Sequence, residues 1–224
     1  MFRDRLEAGE RLADRLERMT LPRPLVLALP RGGVPVAVPV ARRLRAPLDL
    51  ALVRKIGMPD HPELAAGAIL WGAGGEEIVW HEALLRSAGL RPEDFDHILA
   101  QRRAELQERR ARYLGGRAPR PVEGRSVIVV DDGIATGMTV RAALAGLRRL
   151  DPARIVLAVP VAPPETLREI RPQVDELLCL EAPPGFRAVG QFYRDFAQTD
   201  DAEVIAALNA ANADIDDNSE GGKQ

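Results

Sequence analysis

Residues 127 to 139 read Val-Ile-Val-Val-Asp-Asp-Gly-Ile-Ala-Thr-Gly-Met-Thr, and no other stretch narrows the possible folds as much. Four consecutive β-branched residues suit a strand buried on both faces, as in a parallel sheet. The chain then leaves that strand's carboxyl end through small residues. Gly133, Ala135, Gly137 and the short hydroxyls of Thr136 and Thr139 leave room for backbone amides to point at one anion. A helix predicted from Met138 adds its positive dipole end. Asp131 and Asp132 cannot face that anion without repulsion, so they must accept hydrogen bonds from neutral hydroxyls or hold a metal. A sugar phosphate meets both demands.

The rest of the chain alternates strands with helices. Leu6, Leu12, Ala13, Leu16 and Met19 recur at helical spacing, which predicts an amphipathic helix over residues 2–19. Leu25 to Leu29 reads as a buried strand ending at Pro30-Arg31-Gly32-Gly33, and residues 34–44 as a helix kinked by Pro39. A second strand over 48–53 ends in Arg54-Lys55. Residues 56–64 hold Gly57, Pro59, Asp60 and Pro62 and read as a mobile loop. Residues 65–70 and 77–80 flank Gly72 and Gly74-Gly75 as a β-hairpin. Residues 92–114 form a long helix with Phe95, Ile98, Leu99, Leu106 and Tyr113 at core spacing. Its arginines, interleaved with Glu105 and Glu108, read as a solvated face. A helix over 138–150, a strand over 154–159, a short helix over 164–171 and a strand over 174–180 follow. This order predicts an α/β core, a parallel sheet with helices on both faces.

Size and composition bound the function. The 224 residues suit one domain, taken as 1–212, with a polar tail over 213–224 expected to be disordered. A formal net charge of −2 carries no basic footprint for nucleic acid. No apolar stretch is long enough to span a membrane, and the charged start does not resemble a signal peptide, so a cytoplasmic location is expected. The single cysteine, Cys179, lies among leucines and is expected to be a buried small hydrophobe. His61, His81 and His97 are scattered without metal-ligand spacing.

The run of four hydrophobic residues, two acids and a Thr-Gly-x-Thr ending resembles the phosphoribosyl pyrophosphate (PRPP) binding motif of type I phosphoribosyltransferases. The resemblance implies that family's parallel-sheet core, a hairpin and flexible-loop insertion, and a small C-terminal hood over about 183–198. It implies that Asp131 and Asp132 bind the ribose hydroxyls, and that Ala135, Thr136, Gly137, Met138 and Thr139 wrap the 5′-phosphate. Arg31, Gly32 and Gly33 would form the pyrophosphate loop, which in the family often holds a strained or cis peptide. Arg54 and Lys55 match a basic pair that contacts pyrophosphate in adenine-type members. The aromatic stretch 186–196 resembles the hood of a bacterial group that shares the Leu-Pro-Arg-Gly-Gly and Arg-Lys segments, and makes Phe186, Phe192 and Tyr193 base-stacking candidates.

The implied reaction transfers a 5-phosphoribosyl group from PRPP to a nitrogenous base, a step of nucleotide salvage, and releases pyrophosphate. Magnesium is the implied cofactor, held mainly by PRPP with help from Asp131 or Asp132. A homodimer is the common family assembly. One position departs from part of the family: Ala135 stands where hypoxanthine-guanine members carry a proton-exchanging aspartate. Adenine and uracil members carry Ala there, so the loop argues against a 6-oxopurine acceptor. The alternative reading is a regulatory module that binds PRPP without transfer.

Overall fold

The computed structural model describes the backbone of residues 1–72 and 75–220, and side chains as far as Ala213. Helix α1 (Arg5–Leu16) starts where the Asp4 carboxylate accepts the Glu7 amide, and buries Ala8, Leu12, Ala13 and Leu16. Strand β1 (Pro24–Ala28) leads into α2 (Gly33–Leu44), which runs unbroken through Pro39. The two helices lie close because Gly9 has no side chain. A Cβ there would sit 2.3 Å from the Val36 carbonyl oxygen and 2.5 Å from the Pro39 ring.

The strand expected over 48–53 is two strands. β2 (Leu48–Leu50) pairs with β1, and after Ala51 the chain turns into β3 (Leu52–Gly57), which belongs to another sheet. The apolar run across the break carries no Gly or Pro, so its pattern did not show the turn. β3 is antiparallel to β4 (Ala65–Gly72), which pairs with β5 (Gly75–Trp80). The predicted hairpin is therefore present but longer, and Gly74 at its tip lies outside the described residues. Met58 donates to the Leu64 carbonyl at 2.8 Å, closing the irregular stretch at its base.

Helix α3 (Glu82–Ala88) and a short turn over Pro92–Phe95 precede α4 (Asp96–Leu114). Then come β6 (Ser126–Val130), α5 (Met138–Arg148), β7 (Arg154–Val161), α6 (Pro164–Ile170) and β8 (Glu176–Glu181). The main sheet is parallel in the order β2-β1-β6-β7-β8. Its centre is β6, every residue of which is buried. Alternation along β6 sends Ile128 and Val130 toward α1 and α2, and Val127 and Val129 toward α5. The three-stranded sheet packs against both α4 and α5.

A last helix, α7 (Asp201–Glu220), has no counterpart in the sequence reading, and its backbone runs into the polar stretch from 213 as far as Glu220; residues 221–224 lie outside the described set. Its Val204, Leu208 and Ala211 join the core at helical spacing. Asn212, 4% exposed, satisfies the outer edge of β2: its side chain accepts from the Leu48 amide at 3.1 Å and donates to the Leu48 carbonyl at 2.8 Å. Asn212→Ala would strand both backbone groups. It is expected to destabilise the protein by about 2 kcal/mol, read as a lower urea midpoint. No helix among the described residues is long and apolar enough to cross a membrane.

Candidate functional site

Three segments meet beyond the carboxyl ends of the central strands, where open parallel sheets bind ligands. The first is Pro30 to Gly33, after β1. Its Pro30–Arg31 peptide is cis, as the resemblance implied. The second is Asp131 to Thr139, between β6 and α5. The third is Ala51 to Val53, where the chain passes from β2 to β3. Pro30, Ala51, Val53 and Thr139 line one small cavity between them.

The glycines of the first segment are set by contact. A Cβ on Gly32 would lie 2.0 Å from Asp132 Oδ2, and one on Gly33 would lie 2.7 Å from the Val130 carbonyl oxygen. The bare backbone thus lets the first loop press against the acidic pair. In the second segment Ile134 donates to the Val161 carbonyl, and Thr166 Oγ1 donates to the Ala135 carbonyl at 3.0 Å. Both contacts hold the loop by its flanks. The amides of Ala135, Thr136 and Gly137 have no acceptor among the described residues. Gly137, at φ +73°, turns the chain into α5, whose first amides point the same way. Ala135, Thr136, Met138 and Thr139 are all exposed, so the cradle is open to a ligand.

The acids sit deeper. Asp131 Oδ1 accepts the Asp132 amide at 2.9 Å, which sets the two acids side by side. Burial, and then the neighbouring Asp132 charge, raise Asp131 well above the ordinary carboxylate range. Burial also raises Asp132, against the pull of Arg5, whose Nε donates to Asp132 Oδ2 at 2.8 Å. Their side chains are 12% and 14% exposed, so this is a largely desolvated pair. The same guanidinium lies 3.9 Å over the Phe196 ring and donates to the Ala197 carbonyl. Arg5 was missing from the sequence reading because nothing in its local pattern tells an inward arginine at a helix start from a solvated one.

The raised Asp131 value has a sign in pH. A carboxyl that holds its proton more tightly when folded stabilises the protein least at high pH. Stability is lost as pH rises from the unfolded value, about 4, through the folded one. Unfolding of wild type against Asp131→Asn reads out the titration of the acidic pair. The variant's relative stability is expected to rise with pH at up to about 1.4 kcal/mol per pH unit across that window. A difference that stays flat from pH 4 to 8 would contradict the raised value.

Arg31 is exposed and 3.7 Å from Asp201 at the start of α7. Asp201 also accepts from Arg112 and from the Tyr113 hydroxyl, each at 2.7 Å, and those donors hold it below the usual carboxylate range. The unanticipated helix therefore reaches the first loop. Arg54 and Lys55 stand inside β3, not at the end of a parallel strand as expected. Adjacent strand residues point to opposite faces. Arg54 turns toward Glu105 of α4 at 3.2 Å, and Lys55 bonds Glu63 in the 58–64 loop. They do not converge as a pair.

The aromatic hood is present, but its rings divide. Tyr193 is buried, stacks on Phe196, meets the Phe2 ring at a tilt, and donates its hydroxyl to the Asp132 carbonyl at 2.6 Å. That placement corrects the base-stacking expectation: Tyr193 braces the acidic pair. Phe186 and Phe192 stack on each other with centroids 5.4 Å apart and remain half-buried. Val189 covers Gly133, where a Cβ would meet it at 2.6 Å. Cys179 is half-buried, and burial pushes its thiol up to about 11, so it is not a reactive thiolate.

Comparison with known proteins points to one family. A family profile described as "Phosphoribosyl transferase domain" matches residues 4–197. A Mycobacterium tuberculosis protein named "Putative phosphoribosyl transferase Rv0571c" is 44% identical over 215 residues, covering 96% of this chain and 48% of its own length. A protein of the same description from a second strain matches equally. The chain thus spans about half the length of the curated relatives it matches. The crystal structure of TT1426 from Thermus thermophilus is 42% identical, with a TM-score of 0.82 over 92% of this chain and 97% of that one. With its α/β fold and five-stranded parallel sheet, the chain is a member of the phosphoribosyl transferase domain family.

Proposed function

We propose that this protein transfers a 5-phosphoribosyl group from PRPP to a nitrogen acceptor and releases pyrophosphate. The observation that carries the reading is the pairing of an open amide cradle, at Ala135 to Gly137, with a buried acidic pair one turn of chain away. The cradle and the first turn of α5 take the 5′-phosphate, with Thr136, Met138 and Thr139 around it. Asp131 and Asp132 accept hydrogen bonds from the ribose diol. Arg31, Gly32 and Gly33 face the pyrophosphate, and Phe186 and Phe192 offer the hood's aromatic surface to a planar acceptor.

The donor set fits magnesium. Among the described residues no cluster of three or more acids, histidines or cysteines could cage a metal, whereas magnesium is usually held by one or two carboxylates plus substrate phosphates. Asp131 or Asp132 would share it with PRPP. Bound there, the ion would neutralise charge on the departing pyrophosphate. The protein's own part is to orient the donor, exclude water through the hood and the 58–64 loop, and stabilise the leaving charge.

Ala135 supplies no proton acceptor beside the acceptor base, and this keeps the regulatory reading in play. One experiment separates the two. The protein is incubated with PRPP, magnesium and a panel of purine, pyrimidine and pyridine bases while pyrophosphate release is followed. Release with any base supports transfer. PRPP binding with no release across the panel supports a PRPP-sensing module, and no binding at all refutes both.

A further inference from the structure

The inward stripe of α4 reads Leu99, Arg102, Leu106, Arg109 and Tyr113, at alternating spacings of three and four residues. That is the spacing of a buried helix face, and Leu99, Leu106 and Tyr113 are indeed buried. Two arginines share the stripe, and both are half-buried. This corrects the solvated face expected for the α4 arginines. Opposite them, Arg54 comes down from β3. Glu105 serves two of the three guanidiniums, Arg102 at 2.6 Å and Arg54 at 3.2 Å. The Nε of Arg102 is buried without a hydrogen-bond partner, and the equally buried Nε of Arg54 meets Glu105 only through that 3.2 Å ion contact.

Arg109 has no acid or carbonyl partner among the described residues. It borders the small cavity shared with Pro30, Val53 and Thr139. That cavity, about 30 Å³, has room for one or two oxygen-sized atoms. Three half-buried guanidiniums against one carboxylate leave a local surplus of positive charge, which a bound anion would neutralise. The repulsion is visible in Arg54, which burial, then the Arg109 charge, hold below the ordinary guanidinium range.

We propose that Arg109, backed by Arg54 and Arg102, is a fixed clamp for a diphosphate, gripping the pyrophosphoryl end of the donor from helix α4. The inference rests on the PRPP reading for the identity of its ligand. It assigns the grip to a helix face, where Arg109 stands between the first loop and the end of the phosphate cradle. Lys55, tied to Glu63, has no part in it.

Calorimetry on the full chain with three probes tests this: PRPP and inorganic pyrophosphate, both with magnesium, and ribose 5-phosphate. Arg109→Gln is expected to weaken PRPP and pyrophosphate about 10- to 100-fold, the loss of a charge-assisted bidentate contact, and to leave ribose 5-phosphate unchanged. Arg109→Lys should recover part of the loss. Because Arg109→Gln removes a repulsion, its melting temperature should hold or rise, whereas a structural arginine would lower it. Equal weakening of ribose 5-phosphate, a lower melting temperature, or unchanged pyrophosphate affinity in Arg109→Gln would overturn the clamp. Wild type that binds pyrophosphate but neither ribose ligand would refute the transfer reading and keep the clamp. Wild type that binds PRPP, with Arg109→Gln indifferent, would do the reverse.

Discussion

Replacing Asp131 and Asp132 together with Asn is expected to lower PRPP affinity more than 100-fold and leave the fold in place. Each carboxylate accepting from a ribose hydroxyl contributes about 1.5–3 kcal/mol, so losing two charged acceptors crosses that threshold. The fold should survive because two effects oppose each other. Asp132→Asn leaves the Arg5 guanidinium without its 2.8 Å partner in a site where both are largely desolvated, which destabilises. Asp131→Asn removes a buried acid crowded by its neighbour, which stabilises at neutral pH. The net shift in melting temperature should stay within roughly 5 °C. Calorimetric titration with PRPP and magnesium, beside a thermal melt, checks both halves. An intact double variant that binds PRPP like wild type would remove the acidic pair from the site.

Gly32→Ala is expected to damage stability and binding at once. The glycine is not needed for an unusual backbone angle, since its φ is −60°. It is needed because a methyl group there would lie 2.0 Å from Asp132 Oδ2 and 2.6 Å from Asp132 Cγ. That carboxylate is pinned by Arg5 on one side and by the Tyr193 hydroxyl on its own carbonyl, so it cannot step aside cheaply. Overpacking and a disturbed buried ion pair together should cost on the order of 3 kcal/mol. This corresponds to a melting temperature roughly 6–12 °C lower in a domain of this size. PRPP affinity should fall at least tenfold because the displaced acid is one of the ribose contacts. A variant that melts and binds like wild type would show that Asp132 does not lie against the first loop.

These two variants bracket what is legible in the sequence. The acidic pair and the loop behind it were legible because their chemistry is local. A β-branched run ends, two acids follow, and small residues leave amides exposed, all within thirteen residues. The contact between Gly32 and Asp132 joins positions a hundred residues apart, and Arg-Gly-Gly by itself reads only as a turn. The α4 arginines are an intermediate case. Two of them share the stripe of Leu99, Leu106 and Tyr113, while the interleaved Glu105 and Glu108 carry the pattern of a solvated, ion-paired face. An arginine on an apolar helix stripe faces the protein body and needs a counter-charge or ligand there. Tyr193 failed in the opposite direction, because an aromatic cluster looks the same whether it stacks on a ligand or braces the loop beneath it.

What the chain determined by itself is the central strand, the cradle after it and the alternation of elements around them, since hydrophobic period and amide exposure are set by neighbours a few residues away. What the tertiary structure alone decided is which distant charges reach that cradle. Arg5 settles on Asp132, Asp201 on Arg31 and Glu105 on Arg54. Each choice depends on how a helix docks and how much water it expels, and the free energy of a charge pair follows from that desolvation and geometry rather than from either residue's place in the sequence.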